Sequence, residues 1–226
     1  MNPLRFDGTV ICPSGVIRDG SVITYGNRIE FVDSTENLPT QYAELDPIRA
    51  ALVLPGLVDL HCHGGGGASF PDATGLDEIR TAADEHLAHG TTTMLASLVA
   101  APLDALLAQV RLLAAACAEG IVSGIHAEGP FLAPGRCGAL APEAMIAPDI
   151  AIGRKLFEAA NGYLATITIA PELPEANAVA IDLAGGGVVP SVGHTVAHAR
   201  ETTEFLRVAR LALVGTGSVP TVTHLF

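Results

Sequence analysis

The stretch L-P-G-L-V-D-L-H-C-H-G-G-G-G, residues 54–67, sets the reading of the whole chain. An apolar run, Leu57 to Leu60, leads directly into His61-Cys62-His63. In a β-strand residues i and i+2 share a face, so His61 and His63 present two imidazoles side by side while Cys62 turns the other way. Neutral imidazole is the commonest protein ligand for a metal. The four glycines that follow let the chain turn and let a ligand approach the backbone. The stretch therefore predicts the first wall of a metal site; the competing reading is a polar strand end with two solvated histidines.

Outward from this strand, apolar β-type runs alternate with helix-type runs. Strands are predicted at Leu57–His61, Thr91–Leu98, Ile121–His126, Tyr163–Ala170, Val188–Val192 and Val219–His224. Helices are predicted at Leu76–His89, Leu103–Ala118, Asp149–Ala160, Leu173–Ala184 and Val196–Leu211. Alternation of this kind makes a parallel sheet. Apolar strands carrying polar residues at their C-terminal ends favour a barrel, whose active site forms at that end. The expected class is α/β: an incomplete (β/α)8 TIM-type barrel over residues 54–226, cut short because six of the eight strands are found. An open doubly wound sheet is the alternative, but no G-x-G-x-x-G follows the first strand. Residues 1–53 read as a separate small β-domain of short strands. Gly26-Asn27 marks a tight turn, making Ser21–Val32 a hairpin.

The 226 residues are 49% hydrophobic, enough for one large core or one plus a small one. With 24 acidic against 12 basic residues, a formal charge of −12 and a single lysine, Lys155, the chain is unsuited to nucleic acid or an anionic membrane surface. A small anionic substrate needs only one or two local arginines. The N-terminus has no signal-peptide pattern, and the stretch Pro102–Ala118 is interrupted by Asp104, Gln109 and Arg111, as in a packed helix. Cys12, Cys62, Cys117 and Cys137 form no C-x-x-C. Reduced thiols in a cytoplasmic protein are expected.

Ionisable residues recur at strand ends: His61 and His63, then Glu128 in I-H-A-E-G-P, His194 in P-S-V-G-H-T, and His224 in T-V-T-H-L-F. In a barrel these ends meet at one mouth. One carboxylate with several imidazoles suits zinc, iron or another borderline divalent ion.

The segments P-G-L-V-D-L-H-C-H-G-G-G-G, H-G-T-T-T-M-L-A-S-L-V, G-I-H-A-E-G-P-F-L-A-P, I-A-P-E-L-P, S-V-G-H-T and T-H-L-F give the chain its family likeness. It resembles the N-acetylglucosamine-6-phosphate deacetylases of the amidohydrolase superfamily, from residue 54 to residue 226. The resemblance implies that Glu128, His194 and His224 hold a principal metal and that His61 and His63 supply a second position. One or two divalent ions, zinc foremost, are then expected per subunit. It further implies a phosphorylated amino sugar as substrate, a homodimer, and an N-terminal β-domain completed by strands from the far end of the chain. The family's catalytic aspartate stands on a late barrel strand, expected beyond Phe226; neither Asp59 nor Asp182 fits its motif. His126 is expected to be structural or to support the ligands.

The loop Gly129–Pro148 is the expected substrate loop, with Arg136, Cys137, Ala139 and Leu140 as candidate contacts. The family has a sugar-binding histidine after G-A; here Gly138-Ala139 is followed by Leu140, which donates no hydrogen bond. His86, His89 and His198 are expected to be surface residues on helices. The implied reaction is hydrolysis of the acetamide of N-acetylglucosamine 6-phosphate. The rivals are an amidohydrolase for another N-acyl or cyclic amide substrate, and a truncated, non-catalytic metal-binding fragment.

Overall fold

A computed structural model describes residues 2–224; Leu225 and Phe226, the end of the T-H-L-F motif, lie outside the described residues. The chain divides into two compact units, Met1–Gly56 and Leu57–Phe226.

The first unit is a four-stranded sheet in the order β3-β2-β1-β4, with β1 Leu4–Cys12, β2 Gly15–Tyr25, β3 Arg28–Ser34 and β4 Pro47–Val53. The hairpin turns at Gly26-Asn27 as the sequence predicts, with Tyr25 paired to Arg28 and Gly26 at a φ of 60°. The short strands expected in this segment are parts of longer ones: β1 runs for nine residues and β2 for eleven. The fourth strand was not legible: P-I-R-A-A-L-V has no clean alternation, yet it pairs in parallel with β1. Asp7 is buried on β1, where the Arg5 guanidinium grips both carboxylate oxygens at 2.8 and 2.9 Å and the Ser21 hydroxyl donates at 2.7 Å.

The second unit carries a six-stranded parallel sheet in the order β12-β11-β10-β9-β8-β5. Its strands are β5 Leu57–Cys62, β8 Thr91–Val99, β9 Gly124–Glu128, β10 Leu164–Ile169, β11 Val189–Val192 and β12 Thr221–Val222. Two short strands, β6 Gly64–Gly65 and β7 Ala68–Ser69, fold the glycine run into a small hairpin after β5. The helices are α1 Leu76–Ala88, α2 Leu103–Ala118, α3 Ile150–Ala159, α4 Ala176–Gly185 and α5 Ala199–Ala212. Each parallel strand lies beside its predecessor in sequence, the order of a (β/α) barrel, and the curled sheet is a six-stranded part of one. Ile125, Ile167 and Ile169 of the strands pack with Val110 and Leu113 of α2 and Val179 of α4 in one fully buried core.

Several element boundaries differ from expectation, four of them for reasons visible in the structure. Strand β9 begins at Gly124, because Ile121 N–H is spent on the Ala116 carbonyl at the end of α2 and Ser123 N–H bonds Met94 O. Helix α4 begins at Ala176, because Glu175 takes a left-handed φ of 64° that no helix interior admits. Helix α5 begins at Ala199 rather than at residue 196, because Glu172 accepts hydrogen bonds from Val196 N–H and the Thr195 hydroxyl and keeps that segment extended. The last strand is only two residues long, since His224 turns out of it with a φ of 56°. Among the described residues no helix is long and apolar enough to cross a membrane.

The Asp7 site makes stability depend on acid. Burial alone would raise this carboxyl's pKa, but the hydrogen bonds from Arg5 and Ser21 and the Arg5 charge bring it below its ordinary value. A depressed folded-state pKa gives stability that is complete above the unfolded value of about 3.9 and lost as pH falls through the folded one. Urea unfolding of Asp7→Asn should therefore show a lower midpoint than wild type at neutral pH, with the gap closing as the pH approaches 3.

Candidate metal centre

The strand ends converge on one carboxylate. Strand β9, G-I-H-A-E, is buried at every position; Ile125 and Ala127 enter the core, and His126 and Glu128 share the other face. The Glu128 side chain is 3% exposed and is met by four imidazoles. His63 Nε2 lies 3.0 Å and His61 Nε2 3.4 Å from Oε2. His194 Nε2 lies 3.0 Å and His224 Nε2 2.6 Å from Oε1. Two groups result, Glu128 with His61 and His63 and Glu128 with His194 and His224, each with donor atoms within 4.8 Å of one another. They share the carboxylate, one group at each oxygen.

The proton inventory shows what this arrangement needs. His63 Nδ1 faces the Ser97 carbonyl at 3.1 Å and His194 Nδ1 faces the Arg136 carbonyl at 2.8 Å. A carbonyl only accepts, so both Nδ1 atoms carry protons. In a neutral imidazole the other nitrogen is then a lone pair. Those Nε2 atoms face carboxylate oxygens, which only accept, so the contact is satisfied in one of two ways: a second ring proton that makes the imidazole an imidazolium, or a cation held between nitrogen and oxygen. His61 and His63 likewise bring their Nε2 atoms to 2.9 Å. An N–H donated to a backbone carbonyl with the opposite nitrogen turned inward is the usual setting of a metal-ligating histidine. By donor type and tautomer the residues fit a divalent ion of the zinc or iron class.

With no ion in place, ring protons stabilise the carboxylate. Burial alone would raise the Glu128 pKa, but hydrogen bonds from His61, His63 and His194 and the His61 charge drive it far below the carboxylate range. The hydrogen bond to Glu128 raises the pKa of His63 against the opposing effect of burial. Burial, reinforced by the charge of His61, pushes His126 down to about 3. His194 and His224 both adopt left-handed backbone, with φ of 48° and 56°. Such conformations cost about 1–3 kcal/mol and gather where surrounding structure enforces them.

Beneath the imidazoles runs a chain of hydroxyls that sequence reading did not pick out. His126 bonds Ser97 Oγ at 2.9 Å through Nδ1 and Thr168 Oγ1 at 2.8 Å through Nε2. Thr168 bonds Thr223 at 2.9 Å, and Thr223 bonds Ser191 at 2.6 Å. Ser97 Oγ also accepts the Cys62 N–H at 3.0 Å, between the two β5 histidines. The chain crosses all the strands from β5 to β12. The signal for it was present: Ser97, Thr168 and Ser191 are polar residues inside otherwise apolar strands, all buried.

The remaining candidates distribute unevenly. Arg136 is exposed; its carbonyl holds His194, and the residue lines a cavity of about 380 Å³ with His194, Thr195 and His224. Cys137 and Leu140 pack against Leu132, Ala144 and Met145 in a small apolar cluster, which gives Leu140 a packing role within the loop; Ala139 is exposed. Asp59 accepts the His61 N–H at 3.0 Å. His89 is exposed, and His198 is the exposed N-cap of α5, its N–H bonded to Glu201. The expectation of a surface residue fails for His86, whose ring lies 3.1 Å from Cys62 Sγ and 3.0 Å from the Gly64 carbonyl.

Known proteins place this geometry in context. Residues 52–184 match the model of the amidohydrolase family. An N-acetylglucosamine-6-phosphate deacetylase of Bacillus subtilis (strain 168) is 31% identical over 199 residues, which are 84% of this chain and 49% of that protein. An N-acetylgalactosamine-6-phosphate deacetylase of Escherichia coli O157:H7 is 29% identical over 76% of this chain and 45% of its own. Among solved structures, a variant of the N-acetyl-D-glucosamine-6-phosphate deacetylase of Mycobacterium smegmatis, in complex with N-acetyl-D-glucosamine-6-phosphate, superposes with a TM-score of 0.87 at 38% identity, covering 100% of this chain and 56% of that one. The chain spans about half the length of the curated relatives it matches.

A Cβ on Gly193 would stand 2.7 Å from Thr168 Cγ2 and 2.8 Å from Thr223 Cβ, directly before His194. Gly193→Ala should displace the His194 ring and weaken the binding of an added divalent ion by about 10–100-fold, the usual effect of disturbing the support of a metal-binding histidine. Gly185→Ala, where a Cβ meets nothing within 4 Å, should leave it unchanged. Calorimetric titration of the metal-stripped protein reads both.

Proposed function

This chain belongs to the amidohydrolase family, and from that premise we propose that the whole protein hydrolyses the acetamide of N-acetylglucosamine 6-phosphate to glucosamine 6-phosphate and acetate. The observation that carries this reading is the buried Glu128 carboxylate with four imidazole nitrogens turned onto its two oxygens. The likeness to deacetylases of phosphorylated amino sugars supports the choice of substrate class.

In this reading Glu128, His194 and His224 hold the principal ion, and His61 and His63 with the other oxygen of Glu128 hold a second. Zinc suits the donor set best, with iron next. When bound, such an ion polarises an acyl oxygen and acidifies water to a pKa of about 7. The protein's own part is positional. The Ser97 and Arg136 carbonyls fix the tautomers of His63 and His194, and the hydroxyl chain through His126 holds the strand ends in register. Hydrolysis also requires an acid–base group that takes the proton of water and delivers it to the departing amine; that role is assigned to no residue of this chain. Arg136, at the rim of the cavity beside His194, is the proposed contact for the anionic part of the substrate, with Cys137, Ala139 and Leu140 shaping the loop behind it. A reducing cytoplasm suits the four free cysteines, and a homodimer follows from the family likeness.

The test is acetate release by the whole protein from N-acetylglucosamine 6-phosphate, N-acetylgalactosamine 6-phosphate and unphosphorylated N-acetylglucosamine. The first should be turned over fastest. Equal rates with and without the phosphate would overturn the substrate assignment, and a preference for the galacto sugar would move it to the other relative's substrate. Glu128→Gln should lower the rate by more than the about 10–100-fold typical of residues that only support a ligand, together with its metal content. Retained metal and activity in that variant would refute the centre.

A further inference from the structure

We propose that Asp59, Cys62 and His86 form a second, sulfur-containing metal site, on the side of β5 away from the imidazole cluster. Their donor atoms all lie within 4.8 Å of one another. Strand alternation sends His61 and His63 to the mouth and Cys62 to the other face, where its side chain is buried. The pairing of β5 with β8 is irregular between Asp59 and Cys62, and the Asp59 carboxylate comes within 4.8 Å of the Cys62 and His86 donor atoms. His86 reaches in from the last turn of α1, one turn beyond the buried Ala82.

Three donor atoms already form a tight triangle. Cys62 Sγ lies 3.1 Å from His86 Nε2 and 3.4 Å from the Gly64 carbonyl oxygen, and His86 Nε2 lies 3.0 Å from that oxygen. Bonds of about 2.3 Å to sulfur and 2.0–2.1 Å to nitrogen set tetrahedral zinc donors about 3.5 Å apart. The observed triangle is slightly contracted from that and opens by a few tenths of an ångström to admit an ion. The glycine hairpin is shaped for it: a Cβ on Gly65 would stand 2.7 Å from His86 Nε2. Three protein side chains of different chemistry, with the Gly64 carbonyl as fourth donor, make a site without an open position, as structural zinc sites have. Thiolate and carboxylate together balance a divalent charge; binding sends the thiol proton to solvent and moves the ring proton that His86 Nε2 donates to the Gly64 carbonyl onto Nδ1, so that the imidazole stays neutral. Such an ion ties the end of β5 and the glycine hairpin to α1, and so braces His61 and His63 on either side of Cys62.

Sulfur makes the proposal testable independently of the deacetylase reading, because the imidazole cluster contains none. The whole protein, stripped of metal under reducing conditions and reconstituted with cobalt(II), should show a thiolate-to-cobalt charge-transfer band in the near ultraviolet. Cys62→Ser should abolish the band and lower the metal content by one ion per chain. Cys137→Ser, at the substrate loop, should leave both unchanged. His86→Gln, at a half-buried position on a helix surface, should reduce the band even if Cys62→Ser fails to fold. A wild-type protein without the band, or a band that survives Cys62→Ser or His86→Gln, would reduce the cluster to a hydrogen-bonded thiol and imidazole. A band lost in Cys137→Ser would transfer the thiolate to the loop and overturn the assignment equally.

Discussion

A carboxylate that is 3% exposed cannot remain ionised in a protein interior unless cations or strong donors surround it. Glu128 meets this condition by drawing an imidazole from each of three other strand ends and a second one from β5. Much of the second unit's architecture serves that convergence. The parallel order brings β5, β9, β11 and β12 to one rim, and the left-handed backbone at His194 and His224 turns their rings inward. Removing any one imidazole would leave carboxylate lone pairs buried with fewer partners, which is costlier than the loss of a surface ion pair.

The imidazoles do not hold this geometry alone. Each of two rings is anchored from behind by a backbone carbonyl, of Ser97 for His63 and of Arg136 for His194. The second anchor lies in the loop after β9, so the conformation of that loop and the tautomer of His194 are coupled. Leu132, Ala144 and Met145 bury one side of the loop, and Leu140 and Cys137 pack against them. The leucine that stands where a sugar-binding histidine was expected therefore contributes apolar contact to the element that positions His194.

The sequence disclosed the fold through periodicity. Leu103–Ala118 was legible to the residue because Pro102 opens it and Gly120 follows its end, while Leu57–Cys62 and Thr91–Val99 were legible as apolar runs with polar ends. The ligand candidates were legible because each ends a strand. What escaped notice depends on contacts distant in sequence. β4 has no pattern of its own and exists because β1 offers it a parallel partner. The start of α5 is set by Glu172, 24 residues before Val196. The hydroxyls of Ser97, Thr168, Ser191 and Thr223 are individually ordinary residues in or beside strands, and only the register of the neighbouring strands makes them a chain.

His86 illustrates the same limit at the level of one side chain. A histidine near the end of a helix, flanked by Glu85 and Leu87 that are both exposed, has the local signature of a surface residue. Its environment is decided by two facts outside the helix: the strand alternation that turns Cys62 away from His61 and His63, and the absence of side chains in the glycine run. The glycines first suggested room for a ligand at the mouth of the barrel. In the folded chain Gly64 and Gly65 form a hairpin against α1, and the space they leave is taken by the His86 ring. The pleat that aims two imidazoles at Glu128 thus also determines what can approach β5 from behind, so substitutions at Cys62 or His86 act on the metal-facing side through the strand that both faces share.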